Sequence, residues 1–460
     1  MNSDDRKRYL ILKDPNIIKG LLILSFPLMI NNLIRTLHDV IDTYFVSQIE
    51  GYTNEAINSI STTFPVTFMY ISFGMGLGIA GTALISQFYG ANQIDTARKY
   101  ATHLSVIAII IGVVLTIVSL IFAPLIMRLI GAEGYVLTHS VEYLRIRALE
   151  LPFLFLFFAF SSMRQSSGDT ITPVILGVIA MIINIILSPI LIQVFDMGVS
   201  GAAYATLIAN TLIMPPGIIL MFKSKTGITI DLKYIKLQAQ VSMEIIRTAL
   251  PAALGQAMTA IGFAVLTAFI LDYGDATYTA FSVGNRLSSI FLHPVMAIGG
   301  VMAAYIGQNI GNQNPERARK TLTEGIKISM LLMAIGSLVG IYLRAPLAGI
   351  FLDSGGDSHI LATTYMFYLF AGLPLMAIYQ AYIGVFNGTG HTKYTFAIGF
   401  SRLWLIRIPL IMIFKNYTSL GSSGIWYAML LSNFMIAFVG FFLLKNIDFK
   451  PKIELEPILT

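Results

Sequence analysis

The sequence predicts an all-α polytopic membrane protein: twelve transmembrane helices in two pseudo-symmetric six-helix lobes, the second a parallel repeat of the first. Three observations carry this: an excess of apolar residues, the placement of the basic ones, and four landmarks that recur in order. The 460 residues are 56% hydrophobic and 12% charged, whereas a soluble protein carries about 25% charge. About 20 apolar residues cross a bilayer core roughly 30 Å thick. Charge-free stretches of that length run through 56–94, 100–127, 170–195, 197–222, 360–390 and 416–444.

The landmarks set the architecture. Ser25-Phe26-Pro27-Leu28 returns as Ala249-Leu250-Pro251-Ala252. Gln87-Phe88-Tyr89-Gly90, followed by Ala97-Arg98, returns as Gln308-Asn309-Ile310-Gly311, followed by Ala318-Arg319. Gly168-Asp169-Thr170 returns as Gly390-His391-Thr392, and Gly198-Val199-Ser200-Gly201 with Asn210 as Gly421-Ser422-Ser423-Gly424 with Asn433. The offsets stay between 221 and 224 residues. Two similar helical bundles around a pseudo-symmetric cleft are the architecture of secondary transporters.

In chain order the spans fall near 18–46, 54–86, 96–127, 137–165, 170–195 and 198–222, then 242–271, 276–308, 316–343, 360–388, 393–414 and 421–444. The first lobe is therefore 1–222, a linker 223–241, and the second lobe 242–460. With both termini in the cytoplasm, 21 of the 30 Lys and Arg lie at cytoplasmic ends, and only Arg128, Arg344 and Lys415 in outer loops. Lys and Arg excess marks the cytoplasmic side, so a multi-pass protein of the cell membrane is expected, with a cytoplasmic linker. Within that linker 231–240 reads as a short interfacial helix. Prolines at 27, 65, 189, 215, 216, 251, 294 and 374 fall inside spans and suggest kinks. The charged start lacks a following short apolar core, so no removable signal peptide is expected.

Span one holds the polar groups that matter most. Asn31, Arg35, His38, Asp39 and Asp42 are spaced 4, 7, 8 and 11 from the first, which puts all five on one helical face. Ionisable groups inside a span cost about 2.5–3.5 kcal/mol each on insertion scales and mark functional sites facing the interior. Two carboxylates one turn apart in a low dielectric do not both ionise readily, so one tends to hold a proton near neutral pH. Arg35 stands one turn before Asp39 and can pair with it, leaving Asp42 to load and unload; His38 is a candidate relay. The competing reading is a purely structural Arg35–Asp39 pair. The repeat of this span has no acid near Phe263 and Leu266 but carries Gln256, so ion coupling belongs to the first lobe.

Asn31, Gln256, Arg402 and Arg407 are candidate substrate-cavity groups. The two arginines lie well inside span eleven and would repel a cationic compound, which leaves zwitterionic and anionic compounds open. Asn210 and Asn433, recurring in both lobes, read as helix-contact residues, as do the i,i+3 pairs Glu142–Arg145 and Arg147–Glu150. The chain has no cysteine, and its six histidines show no ligand spacing, so neither a metal nor any cofactor beyond a coupling H⁺ or Na⁺ is expected.

Taken in order and duplicated, these motifs resemble the multidrug and toxic compound extrusion (MATE) family over essentially the whole chain. They include the Phe-Pro of span one, Val40-Ile41-Asp42-Thr43-Tyr44-Phe45-Val46, Gln87 to Gly90, Gly168-Asp169-Thr170 after Arg164, and Gly198 to Thr206. The resemblance, to the prokaryotic type with an acidic site in the first lobe, implies cation-gradient-driven export of amphipathic, mostly cationic drugs. It implies a coupling site of Asp42, Asn184 and Thr206. Many such relatives have an acid where this chain has Ser188, and Asp39 would compensate. With no acid in 248–271 or 360–390 either, proton coupling is favoured over Na⁺. The alternatives are Na⁺-coupled export and a flippase for lipid-linked precursors. A membrane enzyme lacks any clustered nucleophile. The expected partners are the lipid bilayer and small amphipathic molecules, with no nucleic acid, and the expected state is a monomer.

Overall fold

A computed structural model describes residues 3–47, 53–224, 227–353 and 355–452, with side chains over 5–34 and from 58 onward within those ranges. Among the described residues every regular element is a helix. A short helix α1 (Ser3–Leu12) precedes α2 (Ile17–Ser47), α3 (Thr53–Gly90) and α4 (Ile94–Leu129). The fourth span is the pair α5 (Gly134–Leu149) and α6 (Leu151–Ser166), bent by 45°. Next comes α7 (Ile171–Pro189), continuing as a π-helical turn Ile190–Val194, and then α8 (Gly198–Leu212) with α9 (Met214–Phe222).

The second half repeats the plan with α10 (Ala239–Leu271), α11 (Asp275–Gly311) and α12 (Pro315–Gly349). The pair α13 (Asp357–Ala371) and α14 (Leu373–Gly388) is bent by 48° at the matching place. The eleventh span is α15 (Thr392–Phe400), a π-helical stretch Ser401–Arg407 and α16 (Ile408–Tyr417); α17 (Ser423–Lys445) completes the set. Among the described residues ten segments are long and apolar enough to cross a membrane, and the two bent pairs, each counted as one span, bring the number to twelve.

Pro189 closes α7 ahead of its π turn, and the other seven in-span prolines divide into two kinds. Pro27, Pro65, Pro251 and Pro294 stay inside unbroken helices. Pro215, Pro216 and Pro374 instead occupy the first turn of helices that restart within a span, where a missing N–H costs nothing. The linker departs from expectation: 231–240 is not a helix. Only a 3₁₀ turn, Leu232–Tyr234, forms before α10 begins at Ala239. Long-range bonds outcompete helical ones there. Asp231 N–H donates to Thr102 Oγ1 at 3.1 Å and Gln238 N–H donates to His103 Nε2 at 2.9 Å, while the Asp231 carboxylate caps the 3₁₀ turn locally by accepting from Lys233 N–H at 3.0 Å.

The first helix of each half packs into the other half. Val241, Ile245 and Ala249 of α10 join the core built on Leu77, Leu84, Leu104 and Phe155. Ile17, Leu21 and Leu24 of α2 join the core built on Ile298, Met302, Tyr305 and Phe386. In hydrocarbon such association gains from close packing, which favours small residues. A β-carbon on Gly76 of α3 would stand 2.6 Å from that of Ala253 on α10. Burial is continuous around both central helices only at one end, over 80–91 of α3 and 301–311 of α11.

Candidate functional site

In the first lobe, α7 and α8 bring together three of the expected groups. Asn184 Nδ2 donates to Thr206 Oγ1 at 3.1 Å, and Ser188 Oγ donates to Asn184 Oδ1 at 3.4 Å from one turn further along α7. Thr206 Oγ1 in turn donates to the Ala202 carbonyl at 3.1 Å. Asn184 and Ser188 are buried, so their polar atoms must find partners inside the bundle. Asn31 of α2 faces this helix, its Oδ1 3.5 Å from where a β-carbon on Gly177 would sit. Arg35, His38, Asp39 and Asp42 belong to the same helix, but their side chains lie outside the described residues.

A buried carboxylate expected only as half of a structural pair turns out to be a junction. Glu150 occupies the break between α5 and α6, 2% exposed. It accepts from Arg147 Nη1 at 2.9 Å and from Asn210 Nδ2 at 3.2 Å, the latter from α8. The Glu142–Arg145 pairing is replaced: Arg145 Nε donates to the Leu120 carbonyl at 3.2 Å, and Glu142 approaches His139 at 4.0 Å. The sequence marked both halves of this junction, the Arg147–Glu150 spacing and the recurrence of Asn210, but not that they meet.

The second lobe is built from cations instead. Arg407, 2% exposed, donates from Nε to Ser432 Oγ at 2.9 Å and from Nη2 to Asn433 Oδ1 at 2.8 Å. Arg402, 5% exposed, lies over the Tyr379 ring at 4.4 Å and directs Nη1 at the Met376 sulfur at 3.1 Å. The expected Arg402 and Arg407 are thus together, in a different lobe from Asn184. Gln256 is half-buried on α10 and hydrogen-bonds with neither group among the described residues.

The fully buried end of α3 and α11 is a closed seam between lobes. Gln87 Nε2 donates to the Gly388 carbonyl at 3.4 Å, and Gln308 Nε2 donates to the Ser166 carbonyl at 2.7 Å. A β-carbon on Gly90 would collide with the Gln308 backbone, and one on Gly311 with the Gln87 carbonyl. Both chain ends cross this seam. From α1, Lys7 pairs with Asp169 at 3.2 Å and Arg8 donates to Asn92 Oδ1 at 2.9 Å, on the first lobe. On the second lobe, Tyr305 donates to the Leu10 carbonyl and Arg317 Nη2 to the Asp14 carbonyl at 2.7 Å. At the other terminus Lys452 N–H donates to Gln87 Oε1 at 3.3 Å, and its Nζ to the Gly390 carbonyl at 3.1 Å. Beside it, burial and the nearby Lys452 charge push the His391 imidazole down to about 4.

Three likenesses fit this arrangement. The chain is 24% identical over 419 residues to the probable multidrug resistance protein YoeA of Bacillus subtilis, covering 90% of each. It is 26% identical over 451 residues to a protein of Shewanella oneidensis named FAD transporter, covering 96% of this chain and 97% of that one. A solved structure described as the outward-facing conformation of a multidrug resistance MATE family transporter superposes with a TM-score of 0.89 at 24% identity, over 95% of this chain and 96% of that one. The MatE family model matches residues 27–190 and again 251–413. With that match repeated over both halves of the bundle, the chain belongs to the MatE family of membrane transporters.

Proposed function

We propose that the protein is a proton-coupled antiporter exporting amphipathic compounds across the cell membrane by alternating access. In this reading it works as a monomer with lobes 1–222 and 242–460 joined by a cytoplasmic linker, 223–241. The observation that carries the reading is the meeting of α2 with α7. The polar stripe of span one begins at Asn31, which faces the helix holding Asn184 and Ser188. A buried neutral cluster beside an acid-bearing span suits a carboxyl that alternately holds and releases a proton. Asp42 is the proton carrier in this scheme, Asp39 its compensating neighbour, and Asn184 and Thr206 the polar support, with Arg35 and His38 as modulators.

The excess of Lys and Arg at the Gly90 and Gly311 end favours a cytoplasmic seam and hence an outward-open state. Protonation from outside would remove a buried charge and change the balance of the two states, releasing substrate. The membrane potential adds about 2.3 kcal/mol per charge per 100 mV. Export of drug-like molecules is supported by the name of the Bacillus subtilis relative. A flippase is not favoured, since the few candidate basic residues, Arg35, Arg286, Arg402 and Arg407, do not make a pyrophosphate-sized surface in both lobes.

Dye efflux from everted vesicles under an imposed ΔpH or ΔNa⁺ tests this. Wild-type efflux should follow ΔpH and be lost in Asp42→Asn and weakened in Asp39→Asn. Wild-type rates in both variants would remove the coupling site, and dependence on ΔNa⁺ alone would reverse the ion.

A further inference from the structure

Arg402 and Arg407 are two guanidinium groups buried within one span, and among the described residues no carboxylate pairs with either of them. No Asp or Glu occurs between Asp357 and Asp448. Of the other acids described in the second half, Asp272, Asp275, Glu316 and Asp353 lie at helix ends and Glu324 in the third turn of α12, where it pairs with Lys327. Glu244, near the start of α10, is taken by the Tyr100 hydroxyl. Buried charges are ordinarily paired, because an unpaired one loses its hydration with nothing in return.

The local backbone sets up the pairing of the two cations. In an α-helix residues five apart point about 140° away from each other, at 100° per residue. Over Ser401–Arg407 the chain is π-helical, and its i→i+5 bonding brings residue i+5 nearly above residue i. Such widened turns are frequent at functional sites. The partners among the described residues are all neutral: Ser432, Asn433, the Met429 carbonyl, the Met376 sulfur and the Tyr379 face. Arg402 Nε is buried and has no hydrogen-bond partner among the described residues.

The first lobe shows what has been exchanged. Asn210 and Asn433 are repeat equivalents, as are Glu150 and Gly372, each at the break of its bent span. In the first lobe the Asn210 amide donates to a carboxylate. In the second the carboxylate position is glycine, and the Asn433 oxygen accepts from Arg407. The acid is gone and a cation has taken over its partner.

We propose that Arg402 and Arg407 form an anion-binding site in the second lobe that takes a carboxylate or phosphate group. The anion comes either from the transported compound, which would then be zwitterionic or acidic, or from a free inorganic ion. The first source deepens the export reading and rests on it; binding itself does not.

The chain supplies its own reporter. Its only two tryptophans are Trp404, between the two arginines, and Trp426, 4.2 Å from the Tyr365 ring beside them. Titrating the purified full chain with inorganic phosphate and with acetate, at constant ionic strength set by a bulky sulfonate, should give a saturable change in tryptophan emission. The affinity should fall about tenfold or more in Arg402→Met and in Arg407→Lys. Arg402→Met removes the orphan donor and should fold; a thermal melt matching wild type certifies each variant. No saturable response in the wild type, or unchanged affinity in both folded variants, overturns the site. Competition between an amphipathic carboxylate dye and phosphate assigns the site to substrate. Efflux of a cationic dye that requires phosphate in the wild type but not in Arg402→Met assigns it to a free ion. Loss of ΔpH-driven efflux alongside intact phosphate binding would sink the export reading and leave this site standing.

Discussion

Gln87 and Gln308 make the same hydrogen bond in exchanged lobes: each side-chain amide donates to a backbone carbonyl of the opposite lobe, Gly388 and Ser166 respectively. The seam therefore obeys the pseudo-two-fold relationship of the repeat, and Gly90 and Gly311 obey it as well. Only glycine allows the two backbones to approach this closely.

Alanine at Gly90 or Gly311 should keep this end from closing. The added β-carbon meets backbone rather than a flexible side chain, so the seam must part. Efflux should drop by about tenfold or more, as a shift of 1.4 kcal/mol in the closing equilibrium suffices for that. The chain has no cysteine, so a single cysteine placed at Ser86 reports directly: its labelling from the seam side should rise in both variants.

Asp169→Asn should destabilise the protein. The carboxylate, 2% exposed, binds Lys7, lies 3.8 Å from Arg164 and accepts from Thr172 Oγ1 at 2.6 Å at the start of α7. Breaking a buried pair costs about 3–5 kcal/mol, visible as a lower midpoint in thermal unfolding and as protease access to α1.

The C-terminal tail should loosen in acid. The folded His391 is held at about 4, below its ordinary 6.5, so the folded state binds fewer protons than the unfolded one. The contribution of neutral His391 is complete above pH 6.5 and declines as pH falls from there towards 4. Protection of the amides at 446–452, taken relative to their intrinsic exchange rates at each pH, should fall between pH 7.5 and pH 5, and His391→Asn should flatten that response.

Asn184→Ala and Thr206→Val should separate coupling from folding. Each removes at least two hydrogen bonds, worth about 0.5–2 kcal/mol apiece, a loss that lowers the melt without abolishing folding. If the cluster supports the proton carrier, the pH dependence of efflux should shift in both, whereas a packing role would alter only the total activity.

The twelve spans and the repeat were legible because hydropathy and recurring landmarks are local properties of the chain. What the landmarks do was not. Their spacing shows that Gln87 and Gln308 are equivalent but not that each reaches into the other lobe. The helix expected at 231–240 failed because its competitors, Thr102 and His103, stand far away in sequence. Arg402 and Arg407 were visible as charges, but the π winding that brings them together has no local signature. Family likeness grouped Asn184 and Thr206 with Asp42; Asn184 bonds to Thr206 and to Ser188, while the Asp42 side chain lies outside the described residues.

The exchange of first helices between the two cores has a consequence for biogenesis. Ile17 and Leu21 pack against Ile298 and Met302, which a ribosome working at about 5–20 residues per second delivers roughly 14–56 s later. Throughout that interval span one sits in the bilayer with its mating surface covered by lipid or by an insertion factor. The contact of span one with the second core therefore forms only once eight spans have been made, and a truncated message encoding only the opening half would leave that surface of α2, and the place of α10 in the first core, without their mates.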